Sequence, residues 1–137
     1  MDAFDADALI YAAVPGHPLG RRVCALFSNE ATAATAGIGS VLLIPELLTK
    51  PLRDGHETEL VALAALLSRL DLRPTDEATA RIAASLGAAY RLRAADAVHL
   101  ATAVAAGADR FITNNAADFP TTIAEIAVTY PSELDDP

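Results

Sequence analysis

Residues 92–119 read LRAADAVHLATAVAAGADRFITNNAADF, and this stretch decides the fold. Its first part predicts a helix that begins near Ala94, runs through Ala105 and stops at Gly107, because glycine is common just past a helix C-terminus. A short apolar strand at residues 110–113 follows and breaks into a polar Asn-Asn turn. A helix, a tight turn and a strand in this order form half of an α/β unit.

Two acidic side chains lie at the functional ends of these elements. Asp96 falls in the first turn of the predicted helix, where the positive end of the helix dipole stabilises a carboxylate. Asp118 lies five residues past the strand, near its carboxyl end. In open parallel sheets, ligands bind at the carboxyl ends of the strands. We therefore expect these two acids to face a binding site.

Composition limits the class of protein. A chain of 137 residues with 53% hydrophobic residues can bury a core as one domain, which we assign to residues 1–131, with a short acidic tail at 132–137. The formal net charge of −8 argues against broad electrostatic capture of nucleic acid. A single cysteine, no apolar run of membrane-spanning length and an acidic N-terminus lead us to expect a cytoplasmic protein.

Helical and strand-like segments alternate along the rest of the chain. Thr75 is the predicted cap of the helix that follows it. The pattern predicts an α/β fold, a three-layer α/β/α sandwich with a mainly parallel central sheet. Helices are predicted at 6–14, 19–30, 41–53, 56–70 and 75–91, and strands at 1–5, within 31–39, at 71–73 and at 126–130.

Two further acids complete a candidate cluster. Asp5 ends the first predicted strand and Glu46 lies on a mid-chain helix, so both can join Asp96 and Asp118 at one edge of the sheet. Carboxylates that share a pocket repel each other unless protons or cations neutralise them. Oxygen ligands without His or Cys select Mg²⁺ or Mn²⁺, which can activate water. Spacing alone leaves a metal site and scattered surface acids equally open.

Three segments carry a resemblance to a known family. They are FDADALIYAA at 4–13, VLLIPELLTKP at 41–51, and RAADAVHLATA followed by GADRFITNNAADF at 93–119. In order and spacing they resemble PIN-domain proteins, specifically the VapC-type toxin ribonuclease of a type II toxin–antitoxin pair. The third segment is the most specific of the three, and the resemblance extends from Phe4 to about Tyr130.

The resemblance implies an endoribonuclease that depends on Mg²⁺ or Mn²⁺ and cuts RNA with metal-activated water. Carried over residue by residue, Asp5 and Asp96 are metal ligands, Glu46 completes the primary set, and Asp118 is a fourth acid that binds through water. Many members have aspartate where this chain has Asn115. Others show a T-x-N-x-x-D-F pattern, which residues 113–119 match, so that the acid comes later.

The sequence allows two interpretations of several residues near the acids. Asp7 stands where the family often has Ser, Thr or Asn, and it either adds charge to the site or, as we favour, caps the following helix. His99 lies one turn after Asp96, and a packed histidine that orients Asp96 is favoured over a general base. The basic residues near the acids either meet RNA phosphates or are merely solvated; they are Lys50, Arg53, Arg91 and Arg93.

The resemblance also implies partners: an antitoxin that occludes the acidic pocket with an arginine, and a second copy of the chain in a homodimer. We expect the helices at 19–30 and 56–70 to form part of the covered face. Two other functions remain open. One is a haloacid-dehalogenase-like phosphatase with Asp5 as its nucleophile, and the other is a degenerate PIN domain that binds RNA or a partner without cutting.

Overall fold

The computed structural model describes residues 1–29 and 35–137. Helices and strands alternate as the sequence predicts, and a short 3₁₀-helix at Pro131–Glu133 follows the last strand. The strands are β1 (Asp2–Phe4), β2 (Gly37–Ser40), β3 (Leu70–Arg73), β4 (Arg110–Ile112) and β5 (Ala127–Thr129); the helices are α1 (Ala6–Ala12), α2 (Pro18–Asn29), α3 (Leu43–Asp54), α4 (Glu57–Leu67), α5 (Glu77–Tyr90) and α6 (Ala94–Ala105).

The five strands form one parallel sheet in the order β3-β2-β1-β4-β5. The chain builds outward from β1 in one direction with β2 and β3, then returns to the other side with β4 and β5. The strand order therefore reverses between β1 and β4, whose register pairs Phe4 with Ile112. Such a switch point opens a crevice at the carboxyl ends of the two strands.

Side chains of the sheet alternate between two separate cores, as the pleat of a strand requires. Ala3 and Phe111 point into a core built with α5 and α6, whereas Phe4 and Ile112 point into a second core built with α1, α2, α3 and α4. The sheet is thus covered by helices on both faces. The prediction of a three-layer α/β/α sandwich with a parallel sheet is confirmed.

The helix that opened the sequence argument is confirmed in type and limits. It runs from Ala94 to Ala105, and Gly107 follows with φ of 70°, a left-handed conformation that favours glycine. The backbone N–H of Ala108 donates to the carbonyl of Ala103 at 3.1 Å, which satisfies an end carbonyl of the helix. Among the described residues, no helix is long and apolar enough to cross a membrane.

The structure corrects two predictions near element ends. The N-cap of α5 is Asp76, not Thr75: its side chain accepts from the Thr79 N–H at 2.8 Å, and the Thr75 hydroxyl is buried without a partner. The second strand begins at Gly37, at the end of the predicted window, and residues 30–34 of that window lie outside the described part of the chain.

The last residues are docked rather than frayed. Leu134 is buried in the core of the α1–α4 layer. Its backbone carbonyl accepts from the Arg22 guanidinium at 2.7 Å, and the same guanidinium reaches the Ser132 carbonyl at 3.0 Å. One buried apolar side chain and the carbonyl contacts with Arg22 therefore hold the acidic tail to α2.

Helices α1 and α2 approach so closely that only glycine fits at the contact. A Cβ atom on Gly20 would lie 2.0 Å from the carbonyl oxygen of Tyr11. We expect Gly20→Ala to lower the free energy of unfolding by ~1–3 kcal/mol, because backbone must move to relieve the overlap. Urea unfolding monitored by circular dichroism measures this change.

Gly87→Ala is the matched control, since it makes the same change inside another helix. Its Cβ would meet the Cβ of Ala97 at 3.6 Å, an ordinary contact. There alanine should leave stability unchanged or raise it by up to about 1 kcal/mol, since glycine costs backbone entropy in a helix. Equal effects of the two substitutions would contradict the close-contact explanation.

Candidate active site

Asp5 lies at the switch point of the sheet. It follows β1 directly, and its backbone N–H continues the pairing with β4 by donating to the Ile112 carbonyl at 2.9 Å. The carboxylate caps α1, with Oδ1 accepting from the Ala6 N–H at 2.9 Å. Oδ2 accepts from the Thr113 hydroxyl at 2.8 Å. Because strand, helix and neighbouring strand all hold it, Asp5 has little freedom and is only 5% exposed.

Burial makes the Asp5 charge costly. Removal from water, followed by repulsion from Asp7, raises the pKa of Asp5 from 3.8 to about 6. The Thr113 hydroxyl and the charge of His99 act in the opposite direction, and neither compensates fully. A carboxylate in this state is stabilised by a nearby cation or by a proton.

Asp7 adds negative charge to the same place. Its Oδ1 accepts from the Asn114 backbone N–H at 3.1 Å and lies 3.4 Å from the Thr113 hydroxyl. Burial raises the pKa of Asp7 above 3.8. The favoured reading of Asp7 as the helix cap is wrong, since Asp5 caps α1 and Asp7 belongs to the first turn.

The loop after β4 presents Asp118 to the site. The fully buried Thr113 accepts from the Asn115 backbone N–H at 3.1 Å. The Asn115 side chain makes two hydrogen bonds to Asp118. Its Nδ2 donates to Oδ2 of Asp118 at 2.8 Å, and its Oδ1 accepts from the Asp118 backbone N–H at 3.2 Å. The asparagine that departs from the common family pattern therefore positions the acid three residues later.

Glu46 reaches the site from α3 and is held by a histidine. It lies in the first turn of α3, and its Oε2 is 3.0 Å from Nε2 of His99. The His99 side chain is 1% exposed, and its Nδ1 is buried without a partner. The prediction that His99 orients Asp96 is wrong, because the ring bonds Glu46 across 53 positions of sequence.

Asp96 completes the acidic surroundings from the first turn of α6. Partial burial raises the pKa of Asp96, and repulsion from Asp118 and then Glu46 adds to the effect. The charges of His99 and Arg93 counteract it only in part. Asp96, Asp118 and Glu46 thus lie in one electrostatic environment, and Asp5 shares with it the influence of His99. We call Asp5, Glu46, Asp96 and Asp118 the acidic pocket.

The acidic pocket fits a divalent cation in chemistry, though its acids are not drawn together around one point. Within residues 1–29 and 35–137, no three His, Cys, Asp or Glu side chains are grouped closely enough to hold a metal ion. The donors are nevertheless all carboxylates, as Mg²⁺ and Mn²⁺ prefer. Elevated pKa values at Asp5 and Asp96 show uncompensated negative charge, which a cation would relieve.

The four basic residues that could meet RNA phosphates, at positions 50, 53, 91 and 93, differ in their contacts. Arg93 precedes α6, and its charge reaches Asp96. Arg53 is tied to its neighbour Asp54 by two contacts, of 2.9 and 3.2 Å. Arg91 ends α5 in a left-handed conformation with φ of 56°. The charge of Arg93 thus acts on Asp96, and contacts of any of these four residues with RNA phosphates stay a prediction.

Thr113 and Asn114 have roles that the sequence did not single out. The sequence pattern T-x-N-x-x-D-F includes Thr113 but predicts no role for it, whereas in the structure the Thr113 hydroxyl donates a hydrogen bond to Asp5. The available signal was positional: Thr113 directly follows β4, the strand that pairs with β1. Residues at the ends of two adjacent parallel strands necessarily meet at the switch point.

Fold and site together define an α/β domain with acidic side chains around its topological switch point. This chain belongs to the PIN domain family, whose model matches residues 3–122. The family prediction is confirmed, and the phosphatase reading of Asp5 loses its basis. None of the curated proteins matches the chain.

Solved structures of low sequence identity share the fold. The chain is similar to a toxin–antitoxin complex from Klebsiella pneumoniae, with 22% identity, a TM-score of 0.73, and coverage of 98% of this chain and 100% of that one. It is similar to VapBC2 from Rickettsia felis bound to a promoter DNA fragment, with 18% identity, a TM-score of 0.73, and coverage of 94% and 97%. FitAB bound to the IR36 DNA fragment has 21% identity, a TM-score of 0.69 and coverage of 98% of each chain.

Proposed function

We propose that this protein is a metal-dependent endoribonuclease and the toxin of a toxin–antitoxin pair. The observation that carries the proposal is the acidic pocket at the switch point of a PIN-family sheet, where burial and repulsion from neighbouring acids raise the pKa values of Asp5 and Asp96. Such a pocket is stable with a cation in it and repels an anion without one. The substrate class is RNA, and the bond broken is a phosphodiester.

The cofactor in this proposal is Mg²⁺ or Mn²⁺, which Asp5, Glu46 and Asp96 would hold, with Asp118 as the fourth acid. A bound divalent cation supplies an activated water and neutralises charge on the phosphodiester. The protein's own part is positioning: Thr113 holds Asp5, His99 holds Glu46, and Asn115 holds Asp118.

The proposed partners are an antitoxin and a second copy of the chain. One structural neighbour is a toxin–antitoxin complex, which supports a protein partner. Exposed large apolar side chains lie on α1, in the turn after it, and on α3 and α4, at Ile10, Val14, Ile44, Leu52 and Val61. The face predicted at 19–30 and 56–70 stays a prediction; Val23 and Phe27 of α2 are buried in the core and cannot contribute to it, whereas Val61 of α4 is exposed. An arginine from the antitoxin would complement the acidic pocket, and a cytoplasmic location follows from this role.

The test is cleavage of total RNA by purified protein, with Mg²⁺ or Mn²⁺ against EDTA, for wild type and Asp96→Asn. We expect metal-dependent cleavage that falls ~10²-fold or more in the variant, since a preorganised charge at a reacting centre is worth that much. The control is Asp135→Asn, an exposed acid beside Arg110 at the opposite, amino edge of the sheet. Its activity should equal that of wild type.

A well-folded wild type that cuts no RNA with either metal would contradict the nuclease. It would favour the degenerate PIN domain, which binds RNA or a partner without cutting. Equal losses in Asp96→Asn and Asp135→Asn would show that the activity does not come from the acidic pocket. Circular dichroism spectra of all three proteins establish that they are equally folded.

A further inference from the structure

An aromatic pair stands beside the acidic pocket and has no part in the chemistry described above. The rings of Tyr11, on α1, and His17, before α2, are stacked with their centres 4.6 Å apart and their planes at 14°. Both residues are partly exposed. A stacked pair at this angle is a flat, rigid surface.

The pair is fixed from the side of α2. Nδ1 of His17 accepts from the Gly20 backbone N–H at 3.1 Å, so the imidazole satisfies a free N–H in the first turn of α2. Gly20 also permits the close approach of α2 to the Tyr11 carbonyl. The ring of His17 is therefore held in place beneath Tyr11 by the start of a helix.

The pair is connected to the acidic pocket from the other side. The Tyr11 hydroxyl accepts from Nδ2 of Asn114 at 3.1 Å. The backbone N–H of Asn114 in turn donates to Asp7 at 3.1 Å, next to Asp5. Two hydrogen bonds thus separate the edge of the Tyr11 ring from the carboxylates at the switch point.

No other aromatic ring of the described chain occupies an equivalent place. All four phenylalanines, at 4, 27, 111 and 119, are buried. Tyr90 bonds Glu125, and Tyr130 donates to the Phe119 carbonyl. Tyr130 is also partly exposed, but it bonds the far end of the loop at Phe119, whereas Tyr11 bonds Asn114, whose backbone N–H donates to Asp7 beside Asp5.

We propose that Tyr11 is a substrate-positioning residue, which stacks on a nucleobase of single-stranded RNA beside the acidic pocket; this rests on the proposed function. The net charge of −8 leaves little cationic surface to hold RNA. Stacking on an aromatic side chain supplies affinity that does not depend on charge and is tolerant of sequence. His17 braces the ring from behind, and Asn114 keeps its hydroxyl edge toward the pocket.

The experiment measures RNA binding in the Asp96→Asn background with Mn²⁺ present, so that cleavage is slow. The probe is a short, fluorescently labelled single-stranded RNA and a set of copies, each with one base replaced by an abasic ribose. We expect Tyr11→Leu to weaken binding of the intact RNA ~10-fold, and one abasic position to weaken binding of the parent protein to a similar extent. With the RNA that is abasic at that position, Tyr11→Leu should bind no more weakly than the parent, because the base that stacks on Tyr11 is already absent.

Three variants separate stacking from a structural role. Tyr11→Phe keeps the ring and should bind within ~2-fold of the parent. His17→Asn keeps an acceptor for the Gly20 N–H but removes the brace, so it should weaken binding less than Tyr11→Leu. Tyr90→Leu, the control at an aromatic residue that bonds Glu125 rather than the loop after β4, should bind as the parent does. Thermal melts show whether each variant is folded.

Cleavage kinetics in the wild-type background distinguish this proposal from the nuclease itself. Tyr11→Leu should raise KM ~10-fold and leave kcat nearly unchanged, because uniform binding is lost. Either of two results would overturn the role of Tyr11 even if RNA is cut. In one, Tyr11→Leu binds intact RNA as tightly as its parent does. In the other, each abasic position weakens RNA binding by Tyr11→Leu as much as it weakens binding by the parent. Base-dependent binding without any cleavage would overturn the nuclease and leave Tyr11 in place.

Discussion

Asp5→Asn is expected to lose RNA cleavage by ~10³-fold and yet to be more stable than wild type in EDTA at pH 7.5. The carboxylate is 5% exposed and lies beside Asp7, which together raise its pKa to about 6. At pH 7.5 the folded protein must therefore keep a buried charge that asparagine lacks. Asparagine can keep the Oδ1 bond from the Ala6 N–H, and its Nδ2 can donate to the Thr113 oxygen, which reverses the direction of the bond that the Thr113 hydroxyl donates to Asp5.

The stability gain has a defined pH dependence. A carboxyl group whose pKa is raised on folding contributes stability that is fully present below its unfolded pKa of 3.8 and is lost as pH rises through about 6. The difference between Asp5→Asn and wild type should therefore be small near pH 4 and grow to the order of 2 kcal/mol at pH 7.5. Urea unfolding at several pH values in EDTA measures this.

Two results would contradict the account of Asp5. One is a variant less stable than wild type in EDTA at pH 7.5, and the other is a stability difference that does not change between pH 4 and pH 7.5. Asp135→Asn, at the opposite edge of the sheet, is the control and should show no such trend. Added Mn²⁺ should raise the melting temperature of wild type more than that of Asp5→Asn, because a ligand stabilises the state that binds it.

Phe119→Ala is expected to lower the free energy of unfolding by ~3–5 kcal/mol. The ring is fully buried and meets Phe111 edge-on, with ring centres 5.1 Å apart. Its backbone N–H donates to the Asn115 carbonyl at 2.9 Å, and its carbonyl accepts from the Tyr130 hydroxyl at 2.7 Å. The residue thus anchors the loop that carries Asp118, and its loss should loosen that acid as well as the core.

Phe27→Ala separates the two consequences. Phe27 is also buried, but in the core on the other face of the sheet, where its ring lies 5.2 Å from that of Phe4. Its truncation should therefore cost a similar free energy of unfolding. At a temperature where both variants are folded, only Phe119→Ala should lose cleavage activity. Equal activity of the two would contradict the anchoring role, and urea unfolding with cleavage assays at one temperature decides between them.

The sequence alone was sufficient for the architecture. Helix limits from Ala94 to Gly107 follow from local periodicity and a glycine stop, because these depend on residues within one or two turns. The placement of Asp5 and Asp118 past strand ends was also local information. Given a parallel sheet, strand ends share one edge, so the sequence allowed these acids to meet there, although spacing alone left scattered surface acids equally open.

Only the tertiary structure decided which atoms meet. His99 is one helical turn from Asp96, yet it bonds Glu46 on another helix. Thr75 is a residue type that often caps helices, yet Asp76 has the extended backbone that an N-cap requires and is the cap of α5. His17 stands between Gly16 and Pro18 like a solvated loop residue, yet it stacks on Tyr11. Local preferences differ by about 1 kcal/mol or less, and contacts between distant segments outweigh them once the layers pack.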